Sequence, residues 1–169
     1  MNNAKLHVFL TGMMGTGKST VGKELAKKLN CKFIDLDDEI IKKAGKSIET
    51  IFTDEGEASF RTWEMKTAQE LNLTKRSVIA TGGGFPLKEA NRDWMSQNGK
   101  TIWLSASAEH ILDRIKDENR PLLPKPITKS HIENILNKRL DIYQKADLQI
   151  DTEDKSPDAI ADEIIKRIR

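Results

Sequence analysis

The chain has 169 residues, with 28 lysines and arginines against 26 aspartates and glutamates, a net charge of +2. This length suits a single domain, and the near balance of charge excludes an argument for nucleic-acid or membrane binding from charge alone. The single cysteine, Cys31, excludes an intramolecular disulfide, and no apolar run is long enough for a secretory signal or a membrane span. We therefore expect one domain over residues 1–169, a cytoplasmic monomer without nucleic-acid or membrane partners.

Strand and helix patterns alternate along the chain. The first strand is predicted at residues 4–12, and the helix after it, at 18–30, carries Val21, Leu25 and Leu29 on one face. The remaining predicted elements are a strand at 32–37, helices at 38–45 and 57–73, a strand running from 77 into three glycines, a helix at 88–99, a strand at 100–106, helices at 108–116 and 130–146, a strand at 147–151 and a helix from Pro157 capped by Ser156. This alternation predicts an α/β fold, a three-layer sandwich with a parallel sheet covered on both faces.

The one long irregular stretch covers residues 117–129 and contains three prolines. Long loops in compact domains are commonly lids or binding loops, so we predict a lid here. Ser130 and Glu133, at the start of the helix that follows, are spaced as a capping box.

The segment "GMMGTGKS", residues 12–19, matches the G-x-x-x-x-G-K-[ST] phosphate loop between a predicted strand and a predicted helix. In this arrangement the backbone amides and the helix N-terminus bind phosphate oxygens. Lys18 is expected to reach the β- and γ-phosphates, and Ser19 is expected to bind Mg²⁺. We predict nucleotide binding by Gly12, Gly15, Thr16, Gly17, Lys18, Ser19 and Thr20.

Asp35 and Asp37 lie two residues apart near the end of the second predicted strand. If the strand continues there, both face the same side, at the sheet edge where ligands bind in open α/β folds. One carboxylate would then support Mg²⁺ through water, and the other would accept a hydrogen bond, and the proton, from a substrate hydroxyl. The alternative is that these acids cap and begin the helix in "DDEII".

Four arginines fit either exposed surface positions or contacts with an anionic ligand. Arg61, with Glu64 three residues later, and Arg139 fit ordinary exposed helix faces. Arg114 and Arg120 flank or lie in the predicted lid, where an arginine would neutralise charge on a transferring phosphoryl group. Spacing alone does not decide among these roles.

The segments "GMMGTGKST", "FIDLDDEI", "IFTDEGEASFR", "ATGGG", "RPLL" and "KRLDIY" occur in this order, and the chain resembles the shikimate kinase family over residues 6–168. The resemblance implies a P-loop kinase fold similar to that of nucleoside-monophosphate kinases, with a five-stranded parallel sheet of order 2-3-1-4-5 and a mobile lid. It implies ATP- and Mg²⁺-dependent phosphorylation of the 3-hydroxyl of shikimate, in the route to chorismate and aromatic amino acids.

On the acceptor side, the resemblance implies that Asp37 binds the shikimate hydroxyls and either acts as a base or only orients them. It implies that Arg61 and Arg139 bind the shikimate carboxylate, between apolar walls and a glycine backbone. The implied acceptor residues are Asp37, Phe52, Phe60, Arg61, Gly82, Gly83, Gly84 and Arg139.

On the donor side, the resemblance implies that Lys18 and Arg120 are catalytic and that Asp35 joins Ser19 at the Mg²⁺ site. Arg114 and Pro157 resemble the pair that encloses adenine, with Lys116 as an alternative to Arg114. The family often has proline two residues after the arginine of "KR", where this chain has Asp141.

Two other functions remain open from the sequence. The scaffold would also suit another small-metabolite kinase, such as a gluconate kinase. A non-catalytic nucleotide-binding relative is the other alternative, although such a protein is expected to have lost the lysine, the acidic pair or the arginines that this chain retains.

Overall fold

The computed structural model describes residues 7–168, so the first three residues of the predicted first strand, 4–6, and the last residue of the final helix lie outside the described residues. Within this range the five strands, numbered β1 to β5, span His7–Thr11, Lys32–Asp35, Ser77–Ala80, Gly99–Ser105 and Leu148–Asp151. The α-helices, α1 to α7, span Lys18–Lys28, Leu36–Ala44, Ile48–Gln69, Glu89–Asn98, Ala108–Ile115, Lys129–Tyr143 and Pro157–Ile168. No helix in this part of the chain is both long and apolar enough to cross a bilayer.

All five strands form one sheet in the order β2-β3-β1-β4-β5, and every neighbouring pair is parallel. The predicted fold class and strand order are therefore confirmed. Because parallel strands share a direction, the loops that follow β1, β2 and β3 leave the sheet at the same edge.

Helices cover both faces of the sheet. Val8 and Leu10 of β1 pack in an apolar cluster with residues of α1 and α7. Phe9, which points to the opposite face, packs in a second cluster with residues of α2, α3 and α4. All three side chains are almost fully buried, which gives β1 the continuous apolar pattern of a central parallel strand.

The second strand ends earlier than predicted. β2 stops at Asp35, and α2 begins at the next residue because the Asp35 carboxylate caps the helix by accepting a hydrogen bond from the Asp37 amide at 3.1 Å. The prediction that the strand continues to residue 37 is therefore wrong, and the alternative, in which these acids cap and begin the helix, is confirmed. Asp37 lies in the first turn of α2, and its direction is set by that helix.

Helix α3 is bent at Gly56, whose φ of 83° and ψ of 172° lie outside the helical region. A glycine adopts this positive φ without the steric cost that a Cβ would impose. The segment before the bend is capped by Ser47, whose hydroxyl accepts from the Thr50 amide at 3.1 Å. The bend brings the ring centroids of Phe52 and Phe60 to 4.7 Å from each other.

The irregular segment predicted at 117–129 connects α5 to α6, which begins at Lys129. Two of its side chains, Leu123 and Ile127, are buried in a third apolar cluster with residues of α5 and α6. The segment is therefore anchored to the body of the protein on both sides of Pro124.

The capping box of α6 is formed by Thr128 and His131 rather than by Ser130 and Glu133. The Thr128 hydroxyl accepts from the His131 amide at 3.4 Å, and the His131 ring nitrogen Nδ1 accepts from the Thr128 amide at 3.2 Å. The helix begins two residues earlier than the Ser130 cap required, so Ser130 lies within its first turn.

Alanine substitutions at Thr128 and Ser130 distinguish the two capping schemes. Thr128→Ala removes the side-chain acceptor at the helix start and is expected to lower the free energy of unfolding by about 1 kcal/mol. Ser130 is exposed, so Ser130→Ala is the matched control and is expected to change it by less than about 0.5 kcal/mol. Urea unfolding of both variants measures the difference, and the reverse order would identify Ser130 as the cap.

Candidate active site

The loop between β1 and α1 has the backbone geometry of a phosphate cradle. Gly15 and Gly17 have φ values of 77° and 87°, which side chains with a Cβ rarely adopt. Helix α1 has no side-chain cap and no acidic residue in its first turn. Its free amides and the positive end of its dipole are therefore available to an anion.

Lys18 lies over this loop. Its ammonium donates to the carbonyl oxygens of Gly12 and Met13, each at 2.9 Å. Burial lowers the pKa of Lys18 to about 8, with Asp37 acting in the opposite direction, so the side chain is still charged at neutral pH.

Gly12 does not line the cavity that the loop encloses. Its φ is 135°, and a Cβ at this position would overlap the backbone carbonyl of Leu104 in β4. The structure therefore gives Gly12 a packing role at the base of the loop, whereas the sequence led us to expect contact with the nucleotide.

A cavity of about 500 Å³, the phosphate-loop cavity, opens above this loop. The other predicted donor-side residues line it: Gly15, Thr16, Gly17, Lys18, Ser19, Thr20, Asp35, Arg114, Arg120 and Pro157. Arg114 also donates to the Gly15 carbonyl at 3.0 Å. Lys116, the alternative to Arg114, is not among the lining residues and lies 3.8 Å from Asp113 on the surface.

Two further charged residues, Glu118 and Lys155, line the same cavity and were not selected from the sequence. Lys155 precedes Pro157 by two residues, and Glu118 precedes Arg120 by two, so proximity to predicted residues was the only available signal. Glu118 forms an ion pair with Arg120 across this short separation.

Ser19 and Asp35 bring two oxygen donors together at the cavity wall. The Ser19 hydroxyl donates to Asp35 Oδ2 at 2.5 Å, which joins the start of α1 to the end of β2. A hydroxyl and a carboxylate are hard oxygen donors of the kind that Mg²⁺ prefers. The residues present therefore fit the predicted magnesium site.

A smaller cavity of about 90 Å³, the glycine-turn cavity, adjoins the first at the turn formed by residues 82–84. All predicted acceptor residues line it: Asp37, Phe52, Phe60, Arg61, Gly82, Gly83, Gly84 and Arg139. Both cavities share the residues Met14, Asp37, Gly82, Gly83 and Arg120. A group held in one cavity therefore lies next to a group held in the other.

Arg61 is buried, which excludes the first of its two interpretations, an exposed ion pair with Glu64. Its guanidinium donates to Glu64 at 2.7 Å and to Glu57 at 3.0 Å, and the Glu64 side chain is fully buried. A Cβ on Gly84 would overlap both terminal nitrogens of Arg61. The guanidinium thus lies directly against the glycine backbone, and a side chain at residue 84 would displace it from this position.

Arg139 is also buried, at 7% exposure, but its environment differs from that of Arg61. Within residues 7–168, no carboxylate lies within 4.0 Å of its guanidinium nitrogens. A buried charge without a counter-ion is costly unless a ligand neutralises it. Arg139 therefore indicates an anionic group in the glycine-turn cavity.

Two buried carboxylate oxygens, Asp37 Oδ1 and Glu64 Oε1, have no hydrogen-bond partner among the residues described. A Cβ built on Gly82 would lie 3.4 Å from the first and 2.6 Å from the second. Burial and repulsion from Asp35 raise the pKa of Asp37 to about 6. Burial raises the pKa of Glu64 to about 7, against the opposing effect of Arg61.

Unpaired carboxylate oxygens are acceptors for the hydroxyl groups of a ligand. Glu64 was missed as a site residue because its spacing from Arg61 fits a surface pair equally well. Among the residues that the structure describes, the glycine-turn cavity thus combines a cation that no carboxylate pairs with and two unpaired acceptor oxygens, and it adjoins a cavity suited to polyphosphate.

Comparisons with known proteins agree with this geometry. The family model described as shikimate kinase matches residues 14–169. A shikimate kinase of Persephonella marina is 44% identical over 164 residues, covering 96% of this chain and 99% of its own length. The shikimate kinase of Acinetobacter baumannii, solved in complex with shikimate, superimposes with a TM-score of 0.92 at 37% identity, over 98% of this chain and 94% of that one.

A gluconokinase from Sinorhizobium meliloti superimposes with a TM-score of 0.67 at 18% identity, over 98% of this chain and 92% of its own, which shows a shared fold alone. The family match and the extent of the alignments decide between the two kinds of kinase. The resemblance inferred from the motifs is confirmed, and the chain belongs to the shikimate kinase family.

Proposed function

We propose that this chain transfers the γ-phosphoryl group of ATP to the 3-hydroxyl of shikimate. The observation that carries the proposal is the buried Arg139, which has no carboxylate within 4.0 Å in the part of the chain that the structure describes, beside the unpaired oxygens of Asp37 and Glu64. Shikimate is a small cyclic acid, so its carboxylate can bind Arg139 and its hydroxyl groups can donate to Asp37 and Glu64. Family membership and the relative solved with shikimate support the same acceptor.

In this proposal Arg139 binds the carboxylate, and Arg61 contributes from its position against Gly84. Planar guanidinium groups match carboxylates in a bidentate geometry. Phe52 and Phe60 pack against the apolar part of the ring. The glycine turn allows the ligand to approach the backbone closely, because no side chain occupies that space.

On the donor side, the phosphates lie on the loop amides, and Lys18 exchanges its carbonyl partners for phosphate oxygens. Arg120, which lines both cavities, neutralises charge on the group in transfer. Ser19 and Asp35 would hold Mg²⁺, which supplies further neutralisation of the phosphates when bound. We propose that residues 117–129, which Leu123 and Ile127 anchor to the cluster beside α5 and α6, act as the lid that excludes water during transfer.

Asp37 is the proposed acceptor of the hydroxyl proton. The substrate oxygen forms its bond to the γ-phosphorus as the bond to the ADP oxygen breaks, and the released proton passes to the Asp37 carboxylate. With a pKa of about 6, Asp37 is mostly ionised at neutral pH and remains a stronger base than an exposed aspartate.

A coupled assay of ADP formation tests the activity. With ATP and Mg²⁺, we expect ADP production that depends on shikimate and not on gluconate, and phosphorus NMR should locate the product phosphate on the 3-hydroxyl. Lys18→Ala removes the phosphate contact and is expected to lower turnover by about 10²–10³-fold. ADP formation with gluconate but not with shikimate would show that gluconate is the acceptor. Binding of ATP and shikimate without ADP formation would contradict the proposal that the protein is a kinase.

Arg139→Ala tests the carboxylate contact. Removing a buried charged partner costs several kcal/mol, so we expect the KM for shikimate to rise about 100-fold while the KM for ATP changes little. Arg167→Ala is the control, because this arginine is exposed at the end of α7, away from both cavities. Steady-state kinetics with each substrate varied measures both constants, and an unchanged KM for shikimate in Arg139→Ala would refute the assignment.

Asp37→Asn tests the buried carboxylate through stability rather than turnover. The folded protein holds the Asp37 proton with a pKa of about 6, whereas an unfolded aspartate releases it near its lower ordinary pKa. The folded state therefore binds more protons in this window, and stability falls as pH rises through it. We expect the unfolding free energy of wild type, relative to Asp37→Asn, to fall by about 1–3 kcal/mol between pH 4 and pH 7. Urea unfolding across this range measures it, and a constant difference would count against burial of the charge.

A further inference from the structure

Tyr143 is the last residue of α6 and lies one helical turn after Arg139, on the same face of the helix. It is 1% exposed, and its ring stacks on Trp103 of β4 with centroids 5.9 Å apart and an interplanar angle of 24°. Its hydroxyl donates to the Gly83 carbonyl at 2.7 Å. Tyr143 does not line the glycine-turn cavity, so it acts on that cavity through Gly83.

The hydrogen bonds of the glycine turn show what Tyr143 contributes. The Gly82 and Gly84 carbonyls accept local bonds from the amides of Phe85 and Leu87, each at 3.1 Å. The Gly83 carbonyl accepts from Tyr143, on a helix sixty residues further along the chain. Consecutive glycines have little intrinsic conformational preference. The backbone and hydroxyl of Thr81 bond to the Leu10 carbonyl and fix the start of the turn to the sheet, and the Tyr143 bond fixes its middle peptide from α6.

Gly83 occupies a narrow space between the two halves of the site. A Cβ built on it would lie 3.2 Å from the Gly12 carbonyl, 3.5 Å from the Met14 amide and 3.4 Å from Arg139 Nη1. A small displacement of the Gly83 peptide would therefore change its distances to the phosphate loop and to the Arg139 guanidinium. The stacking of the Tyr143 ring on Trp103 restricts the position of the Tyr143 hydroxyl, which donates to the Gly83 carbonyl.

We propose that Tyr143 is a positioning residue for the acceptor, which holds the Gly83 peptide and the Arg139 guanidinium in register through one hydroxyl. The proposal rests on the proposed function, since it takes shikimate as the acceptor. Burial raises the pKa of the Tyr143 phenol, so the hydroxyl keeps its proton and remains a donor at neutral and mildly alkaline pH.

Tyr143→Phe removes the hydroxyl and keeps the ring and its stacking on Trp103. Loss of one buried hydrogen bond predicts a KM for shikimate about tenfold higher, with the KM for ATP within about twofold of wild type. Ser77→Ala is the matched control: Ser77 is 2% exposed, lies at the opposite end of β3, and donates its hydroxyl to the Lys75 carbonyl at 3.0 Å. It loses the same kind of bond and is expected to keep the wild-type KM for shikimate.

The outcomes separate this inference from the proposed function. Wild-type protein without shikimate-dependent ADP formation would refute the function itself. Active wild type with an unchanged KM in Tyr143→Phe would refute the positioning role. An equal rise in the KM values for shikimate and ATP in Tyr143→Phe, together with a lower melting temperature, would also refute the positioning role.

A second measurement does not require a variant that folds. Tyr143 is the single tyrosine of the chain, so incorporation of 3-fluorotyrosine places one fluorine probe at this position. We expect shikimate at saturation to shift the fluorine NMR resonance more than ADP does. A resonance that shikimate leaves in place would overturn the inference.

Discussion

The glycine-turn cavity depends on the absence of side chains at residues 82–84. A Cβ on Gly82 would lie 2.6 Å from Glu64 Oε1, and one on Gly84 would overlap the Arg61 guanidinium. Charged groups from α2, α3 and α6 can converge on this turn because its backbone leaves the space open. The bond from Tyr143 to the Gly83 carbonyl offsets part of the conformational entropy that these glycines lose on folding.

The strand order brings this turn to the phosphate loop. β1 and β3 are neighbours in the sheet, so the loop after one and the turn after the other leave the same edge side by side. β2, on the far side of β3, ends at Asp35 and delivers Asp37 through the first turn of α2. The phosphate-loop cavity and the glycine-turn cavity share a wall as a consequence of topology, and two of the proposed catalytic residues, Asp37 and Arg120, line both cavities.

Local signals predicted the parts of this site that are formed by consecutive residues. The phosphate loop follows from its spacing, and the fold class from the alternation of strands and helices. The burial of Arg61 and Glu64 does not follow from local signals. An i,i+3 pair has the same spacing on a helix face that is exposed to solvent and on one that faces the protein interior. The bend at Gly56 and the packing of α3 decide between them, and both depend on tertiary contacts.

The same limit applies to the start of α2 and to Tyr143. Strand periodicity placed Asp35 and Asp37 on one face, but a capping bond ended the strand first. Tyr143 was not singled out from the sequence, and its bond to Gly83 spans sixty residues. Contacts between distant segments are not encoded in local spacing, so the resemblance to a family supplied residue roles that periodicity did not.

The ligand-free site carries an electrostatic cost that its proposed ligand would remove. Arg139 lacks a counter-ion among the described residues, while Asp37 and Glu64 are held above their ordinary pKa values by burial. The carboxylate of the ligand would neutralise Arg139, and its hydroxyl groups would stabilise the ionised form of Asp37 and lower the pKa of that residue. Binding of a hydroxy acid would thus keep Asp37 in the ionised form, which is the form that accepts a proton in the proposed reaction.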